Sequence, residues 1–203
     1  MNETIIFATG NQGKVKEIQM ILADMGKKVL SMKEAGIFVD IEENGSTYEE
    51  NALAKARAVA ACTDCLVMAD DSGLEIDYLH GEPGIYSARY LGEDTPYSIK
   101  NAVILERLAG VPEEKRTARF VCAIAAVLPD KTYLTVRAVI EGRIAQEEKG
   151  SHGFGYDPIF FVPEFGRTTA ELTEEEKNKV SHRGKALEQM KEELRRYEGN
   201  HCQ

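Results

Sequence analysis

The sequence predicts an α/β protein built on a mixed β-sheet, and two observations carry that expectation. Short apolar, β-prone runs, TIIFAT, KVLSM and CLVMAD, alternate with segments of helical period, the pattern of strands joined by helices. Further along, two long β-prone runs, TARFVCAIAAVL and TYLTVRAVIEGRIA, are separated only by a turn at Pro129-Asp130-Lys131 and read as an antiparallel hairpin. Crossover-linked strands and a hairpin in one chain make a mixed sheet, flanked by the helices.

Each element has a local reason. Thr4–Thr9 is a buried strand. From about Gly13 to Met25, the apolar positions Val15, Ile18, Ile21, Leu22 and Met25 fall on one helical face, and Gly26 stops the helix. Ser46 and Thr47 with Glu49 and Glu50 form a capping box that opens the helix YEENALAKARAVAACT. CLVMAD is a strand ending on Asp70 and Asp71, and GLEIDYL continues as an extended segment after a turn. Thr95 is expected as an N-cap with Pro96 at the first helical position, and this helix stops at Gly110. Thr173 with Glu176 caps a short helical turn, Ser181 opens the last helix, and the tail from about 198 to 203 frays. No internal repeat or low-complexity linker divides the 203 residues, which suit one α/β domain.

Bulk properties narrow the function. With 25 basic and 34 acidic side chains the net charge is −9, which repels nucleic-acid backbones and anionic membranes. No apolar run approaches membrane-helix length and MNETIIFATG lacks signal-peptide character, so a cytoplasmic protein is expected. Cys62 and Cys65 form a C-x-x-C, which fits a redox pair or half a zinc site. No second C-x-x-C or H-x-x-x-H accompanies it, and two small residues at a helix end and a strand start fit as well; Cys122 and Cys202 complete the set of free thiols.

Four stretches carry candidate chemistry. In TGNQGK a strand, a glycine turn and a helix start make an anion site from backbone N–H groups, yet the helix opens with Lys14 and Lys16 where the dipole favours acids. Its spacing is neither a P-loop nor G-x-G-x-x-G, and a glycine turn with solvated lysines is an equal reading. ADDSG ends a buried strand on Asp70 and Asp71, paired carboxylates that suit a divalent cation or a general base, or simply a polar turn. SHRGKAL again opens a helix with cations, His182, Arg183 and Lys185. An anion shared by the two helix starts would offset a cost of about 0.3–1 kcal/mol at each. GFGYDPIF lets backbone approach a ligand closely around Phe154, or forms a tight turn over a core phenylalanine.

TGNQGK, ADDSGLEID followed by PGIYSARY, GFGYDPIF and SHRGKAL, in this order, closely resemble the inosine triphosphate pyrophosphatase family, and NALAKA and AELTEEEK fit the same pattern. The resemblance covers about residues 4–197. It implies a Mg²⁺-dependent hydrolase that cleaves dITP, ITP and XTP to the monophosphate and pyrophosphate. It also implies a two-lobed fold with a central cleft, and a homodimer. Carried onto this chain, the triphosphate contacts are Thr9, Gly10, Asn11, Gln12, Gly13 and Lys14. Glu42 of EENG and Asp71 are the metal-binding acids. Asp71 is the catalytic acid, supported by Asp70 and Lys14, and Lys55 and Ser72 contact phosphate, metal shell or substrate. Phe154, Gly155, Tyr156 and Asp157 hold the base, and Lys177, His182 and Arg183 close over it. Maf-type nucleotide pyrophosphatases and a non-catalytic nucleotide-binding module are the alternatives.

Overall fold

The computed structural model describes residues 4–201. Seven strands, β1 (Thr4–Phe7), β2 (Lys28–Ser31), β3 (Leu66–Ile76), β4 (Thr117–Val127), β5 (Tyr133–Ile144), β6 (Phe160–Val162) and β7 (Arg167–Thr168), form one sheet in the order β2-β1-β3-β4-β5-β6-β7. β1 pairs in parallel with β2 and β3, whereas β6 pairs antiparallel with β5 and β7. The sheet is therefore mixed, as the sequence predicts. The helices are α1 (Gln12–Leu22), α2 (Tyr48–Ala60), α3 (Tyr97–Arg107), α4 (Glu174–Val180) and α5 (His182–His201). None of the described helices is long and apolar enough to cross a membrane.

The chain divides into two compact units: one of residues 1–71, 122–138 and 183–203, the other of 72–121 and 139–182. The first packs Ile18 and Leu22 of α1 and Ala186, Leu187 and Met190 of α5 against Ile5, Phe7, Leu66, Met68 and Ile124. The second has its own core, in which Leu74, Ile76, Phe120 and Ile140 meet Ile104 and Leu108 of α3 and Tyr156, Ile159 and Phe160. Burying such side chains contributes roughly 1.5–3 kcal/mol each.

Four boundaries differ from expectation. β3 runs unbroken through Ala69–Gly73, so Asp70 and Asp71 sit inside an eleven-residue strand rather than at its end. Polar residues are tolerated there because both carboxylates find cationic partners. α2 stops at Ala60, leaving Cys62 and Cys65 in the loop before β3. Thr95 does not cap α3: its hydroxyl donates to the Leu91 carbonyl at 2.7 Å, and Pro96 takes the N-cap position, its carbonyl accepting from the Lys100 N–H. α5 continues past residue 198 to His201. Tyr197 anchors that end by donating to Asp130 at 2.6 Å, and Glu198 by an ion pair to Lys27 at 3.5 Å. Cys202 and Gln203 lie outside the described residues.

Candidate active site

The first unit carries two carboxylate clusters on opposite faces of β3. Alternation along a strand sends successive side chains to opposite sides. Leu66 and Met68 face the α1 and α5 core, so Asp70 follows them, and Asp71 turns the other way toward α2. Asp70 and Asp71 are therefore not a facing pair, and each is built into its own network.

Asp70 is 1% exposed. Its Oδ2 accepts from Lys14 Nζ at 3.0 Å and from Nε and Nη2 of Arg183, both at 3.2 Å. Arg183 also donates to Glu17 Oε2 at 2.5 Å. The anion that the two cationic helix starts share is thus the protein's own Asp70 carboxylate. Burial pushes the Asp70 carboxyl upward, but the charges of Lys14, Arg183 and Lys55 outweigh it and hold the group well below the usual carboxylate range. Burial likewise opposes the charge on Arg183, and Asp70 and Glu17 overcome it. Cys122 lies beside this cluster, its thiol pushed up to about 12, mainly by burial, and therefore inert.

Asp71 is 6% exposed and meets α2. Asn51 Nδ2 donates to its Oδ2 at 3.2 Å, and Lys55 Nζ reaches its Oδ1 at 3.3 Å. Lys55 also reaches Glu43 Oε1 at 3.1 Å. Asn51 and Lys55 are one helical turn apart on the buried face of α2, among Ala52, Ala56 and Val59. Here burial wins: the Asp71 carboxyl is raised, with Glu43 adding to the shift and Lys55 and Asn51 opposing it. Asn51 Oδ1 accepts from the Gly45 N–H at 2.8 Å, and a Cβ on Gly45 would fall 2.7 Å from that oxygen. The glycine of EENG is thus required by close approach.

Glu42 is exposed and accepts from Asn44 Nδ2 at 2.9 Å, so of the two adjacent acids it is Glu43 that joins Lys55 and Asp71. No group of three His, Cys, Asp or Glu side chains converges among the described residues. Asp71 and Glu43, on either side of Lys55 Nζ, are a two-carboxylate oxygen set. Mg²⁺ takes such a set when waters and substrate phosphates complete its shell, so the donor chemistry fits that ion.

The glycine turn joins β1 to α1. Ala8 N–H extends the β1 register by donating to Met68, Asn11 caps α1 by accepting from the Lys14 N–H at 3.2 Å, and Asn11 N–H donates to Thr9 Oγ1 at 3.2 Å. Gly10 and Asn11 are exposed.

The second unit holds the GFGYDPIF site. Asp157 is 3% exposed and fully engaged. Its Oδ2 accepts from Lys177 Nζ at 2.7 Å and from the Phe154 N–H at 2.8 Å, and its Oδ1 from Thr169 Oγ1 at 2.8 Å. Lys177 Nζ also lies 4.7 Å from the centre of the Phe154 ring. His182 stacks on Phe120, centroids 4.8 Å apart. Gly153 has φ +74°, and a Cβ there would fall 2.2 Å from Asp157 Oδ2. Gly153→Ala is therefore expected to destabilise the protein by about 1–3 kcal/mol, read by urea denaturation; unchanged stability would show that the loop relaxes freely.

Of the sequence-predicted residues, Lys14, Asp70 and Arg183 come together, as do Lys55 and Asp71, and as do Phe154, Asp157 and Lys177. Asn51, Glu17 and Thr169 were not anticipated, and Glu43 was read only as a possible acid beside Glu42. Asn51 had a visible signal, a polar residue on the otherwise small apolar face of an alanine-rich helix; Glu17 had only its position one turn after Lys14.

The model of the Ham1 family matches residues 5–193. The chain belongs to the Ham1 family. The dITP/XTP pyrophosphatase of Bacillus subtilis is 51% identical to it, over 94% of this chain and 96% of the relative. That of Exiguobacterium sibiricum is 48% identical, over 96% and 98%. A Ham1 protein of Coxiella burnetii has a solved structure with a TM-score of 0.85 at 42% identity, covering 97% of this chain and all of that one. Both carboxylate clusters and the GFGYDPIF loop lie inside the matched region, residues 5–193.

Proposed function

We propose that this chain hydrolyses non-canonical purine nucleoside triphosphates, dITP, ITP and XTP, to the monophosphate and pyrophosphate. One observation carries the mechanism: Asp71 turns toward α2 and the loop of Glu43, while its neighbour Asp70 is locked to Lys14 and Arg183. Asp71 is accordingly the residue placed to act on water and Asp70 a positioning residue.

In this reading Asp71 takes the proton of a water whose oxygen bonds to the α-phosphorus. The bond from that phosphorus to the bridging α–β oxygen breaks, and the electron pair leaves with pyrophosphate. The Lys14 ammonium, oriented by Asp70, and the N–H of Gly13 at the start of α1 stabilise the leaving charge, with Thr9, Gly10, Asn11 and Gln12 in the phosphate turn. Bound Mg²⁺ supplies charge neutralisation on the phosphates, and Asp71 with the Glu42-Glu43 pair would hold it. Lys55 and Ser72 serve the same end of the nucleotide.

Phe154 stacks on the base, with Gly155, Tyr156, Asp157, Lys177 and His182 around it. A site that donates hydrogen bonds to a 6-keto oxygen discriminates strongly against adenine, because its donors are left unpaired. Arg183 acts through Asp70 rather than on the base edge, since its guanidinium is spent on Asp70 and Glu17. The family reading also carries a cytoplasmic homodimer acting on free nucleotides, with neither nucleic acid nor membrane as partner.

The test is pyrophosphate release from dITP, XTP, dATP, dGTP, dCTP and dTTP, with and without Mg²⁺. Mg²⁺-dependent release confined to dITP and XTP is expected. Release from pyrimidine nucleotides would replace the reading with a Maf-type one, and binding of dITP without release would make the chain a nucleotide-binding module.

A further inference from the structure

The N-terminal half of α3 lies against the GFGYDPIF loop, and no part of the mechanism above uses it. Tyr97 and Asn101 are one helical turn apart and present one face. The Tyr97 ring packs over Gly155, where a Cβ would meet its edge at 3.6 Å, and stands edge-on to Tyr156 with ring centroids 5.1 Å apart. The Tyr156 hydroxyl donates to the Ser87 carbonyl at 2.8 Å, which fixes the far end of that ring. Asn101, 1% exposed, donates from Nδ2 to the Gly155 carbonyl at 3.3 Å and to Glu148 Oε1 at 2.9 Å.

The Asn101 amide is expensive to keep in this place. Both of its Nδ2 partners are acceptors, so the amide can be oriented in only one way. Its Oδ1 is then buried without a hydrogen-bond partner among the described residues. A buried unpaired acceptor is costly to keep. What the amide supplies in return is the bond to the carbonyl of Gly155, the residue after Phe154. The Phe154 N–H is held from the other side by Asp157. The backbone that carries the Phe154 ring is thus clamped at two points, by Asp157 from within the loop and by Asn101 from α3.

We propose that Asn101 is a positioning residue for base recognition: through the Gly155 carbonyl it sets the height and tilt of the Phe154 ring. The proposal rests on the reading of Phe154 as the residue that stacks on the base. Asn101 touches neither nucleotide nor reacting atoms in this scheme, so its loss acts on affinity for the base and not on the phosphate chemistry.

The experiment compares Asn101→Leu, Phe154→Ala and the parent for dITP hydrolysis, with inorganic tripolyphosphate as a competitive inhibitor that carries no base. Asn101→Leu is expected to raise KM for dITP by about fivefold to tenfold, the loss of one hydrogen bond's worth of positioning, with kcat changed less than twofold. The inhibition constant of tripolyphosphate stays unchanged, and the melting temperature does not fall. If Asn101→Leu does not fold, Asn101→Ala removes the same bond without adding bulk and carries the same expectations for KM, kcat and the inhibition constant. A KM rise in Phe154→Ala with none in the Asn101 variants overturns the positioning role and leaves base stacking intact. Unchanged KM in Phe154→Ala overturns the base-stacking reading itself. A parallel loss of tripolyphosphate affinity or of kcat in the Asn101 variants would mean that α3 supports the fold generally, which also overturns the proposal.

Discussion

Replacing Asp71 by asparagine is expected to lower kcat for dITP hydrolysis by about 10²–10⁴-fold, the range a general base contributes. The fold should survive. Asparagine has the shape of aspartate but a single acceptor oxygen, so of Asn51 and Lys55, which donate to separate carboxylate oxygens at 3.2 and 3.3 Å, it keeps one and not both. The pH-dependent part of the stability has a definite sign, which follows from the direction of the shift. Burial keeps the folded-state pKa of Asp71 above its unfolded value, so the folded state binds the extra proton more readily. Ionising Asp71 therefore costs stability, a cost absent below the unfolded pKa and incurred as pH rises through the folded one. Asparagine removes it. Steady-state kinetics and a thermal melt on one preparation check both halves. A variant with near-parental kcat would remove Asp71 from the role of base.

The adjacent substitution, Asp70→Asn, should behave in the opposite way. Asp70 is the counter-charge for two cations, and Arg183 is buried with it. Breaking a buried ion pair by removing one partner costs about 3–5 kcal/mol, because the other charge stays buried and under-compensated. In a protein of this size that corresponds to a fall in melting temperature of about 10 °C. Here the folded-state pKa lies below the unfolded one. The stabilisation is therefore present above the ordinary aspartate range and is lost as pH falls through it toward the folded value. The parent should lose stability on acidification, and Asp70→Asn should start lower and show a shallower acid slope. Equal melting temperatures for Asp70→Asn and Asp71→Asn would mean that the two carboxylates do not have separate roles.

The predictions for neighbouring residues diverge because a strand alternates its faces. The sequence showed two consecutive aspartates after an apolar run and invited their reading as a pair. Inside β3 they point to opposite sides: Asp70 into the space between α1 and α5, Asp71 toward α2. The cationic starts of α1 and α5 were also legible in sequence, as departures from the helix-dipole preference, and a shared anion was the expected remedy. That the anion is Asp70, more than a hundred residues from Arg183, is long-range information that no local pattern holds.

The order of β1 to β5 and of the helices, the capping of α2 and α4 and the hairpin of β4 and β5 were legible in the sequence, whereas β6 and β7, in and after a glycine-rich stretch, were not. The legible features depend on period, caps and turn residues, which act within a few positions. Packing alone fixes that β3 runs straight through ADDSG, that Glu43 rather than Glu42 joins Lys55, and that Asn51 meets Asp71 and Asn101 meets Gly155. Each of these depends on what lies across from a residue once the sheet and helices have packed. A side chain's charge and a loop's shape are set there by burial and by partners distant in sequence.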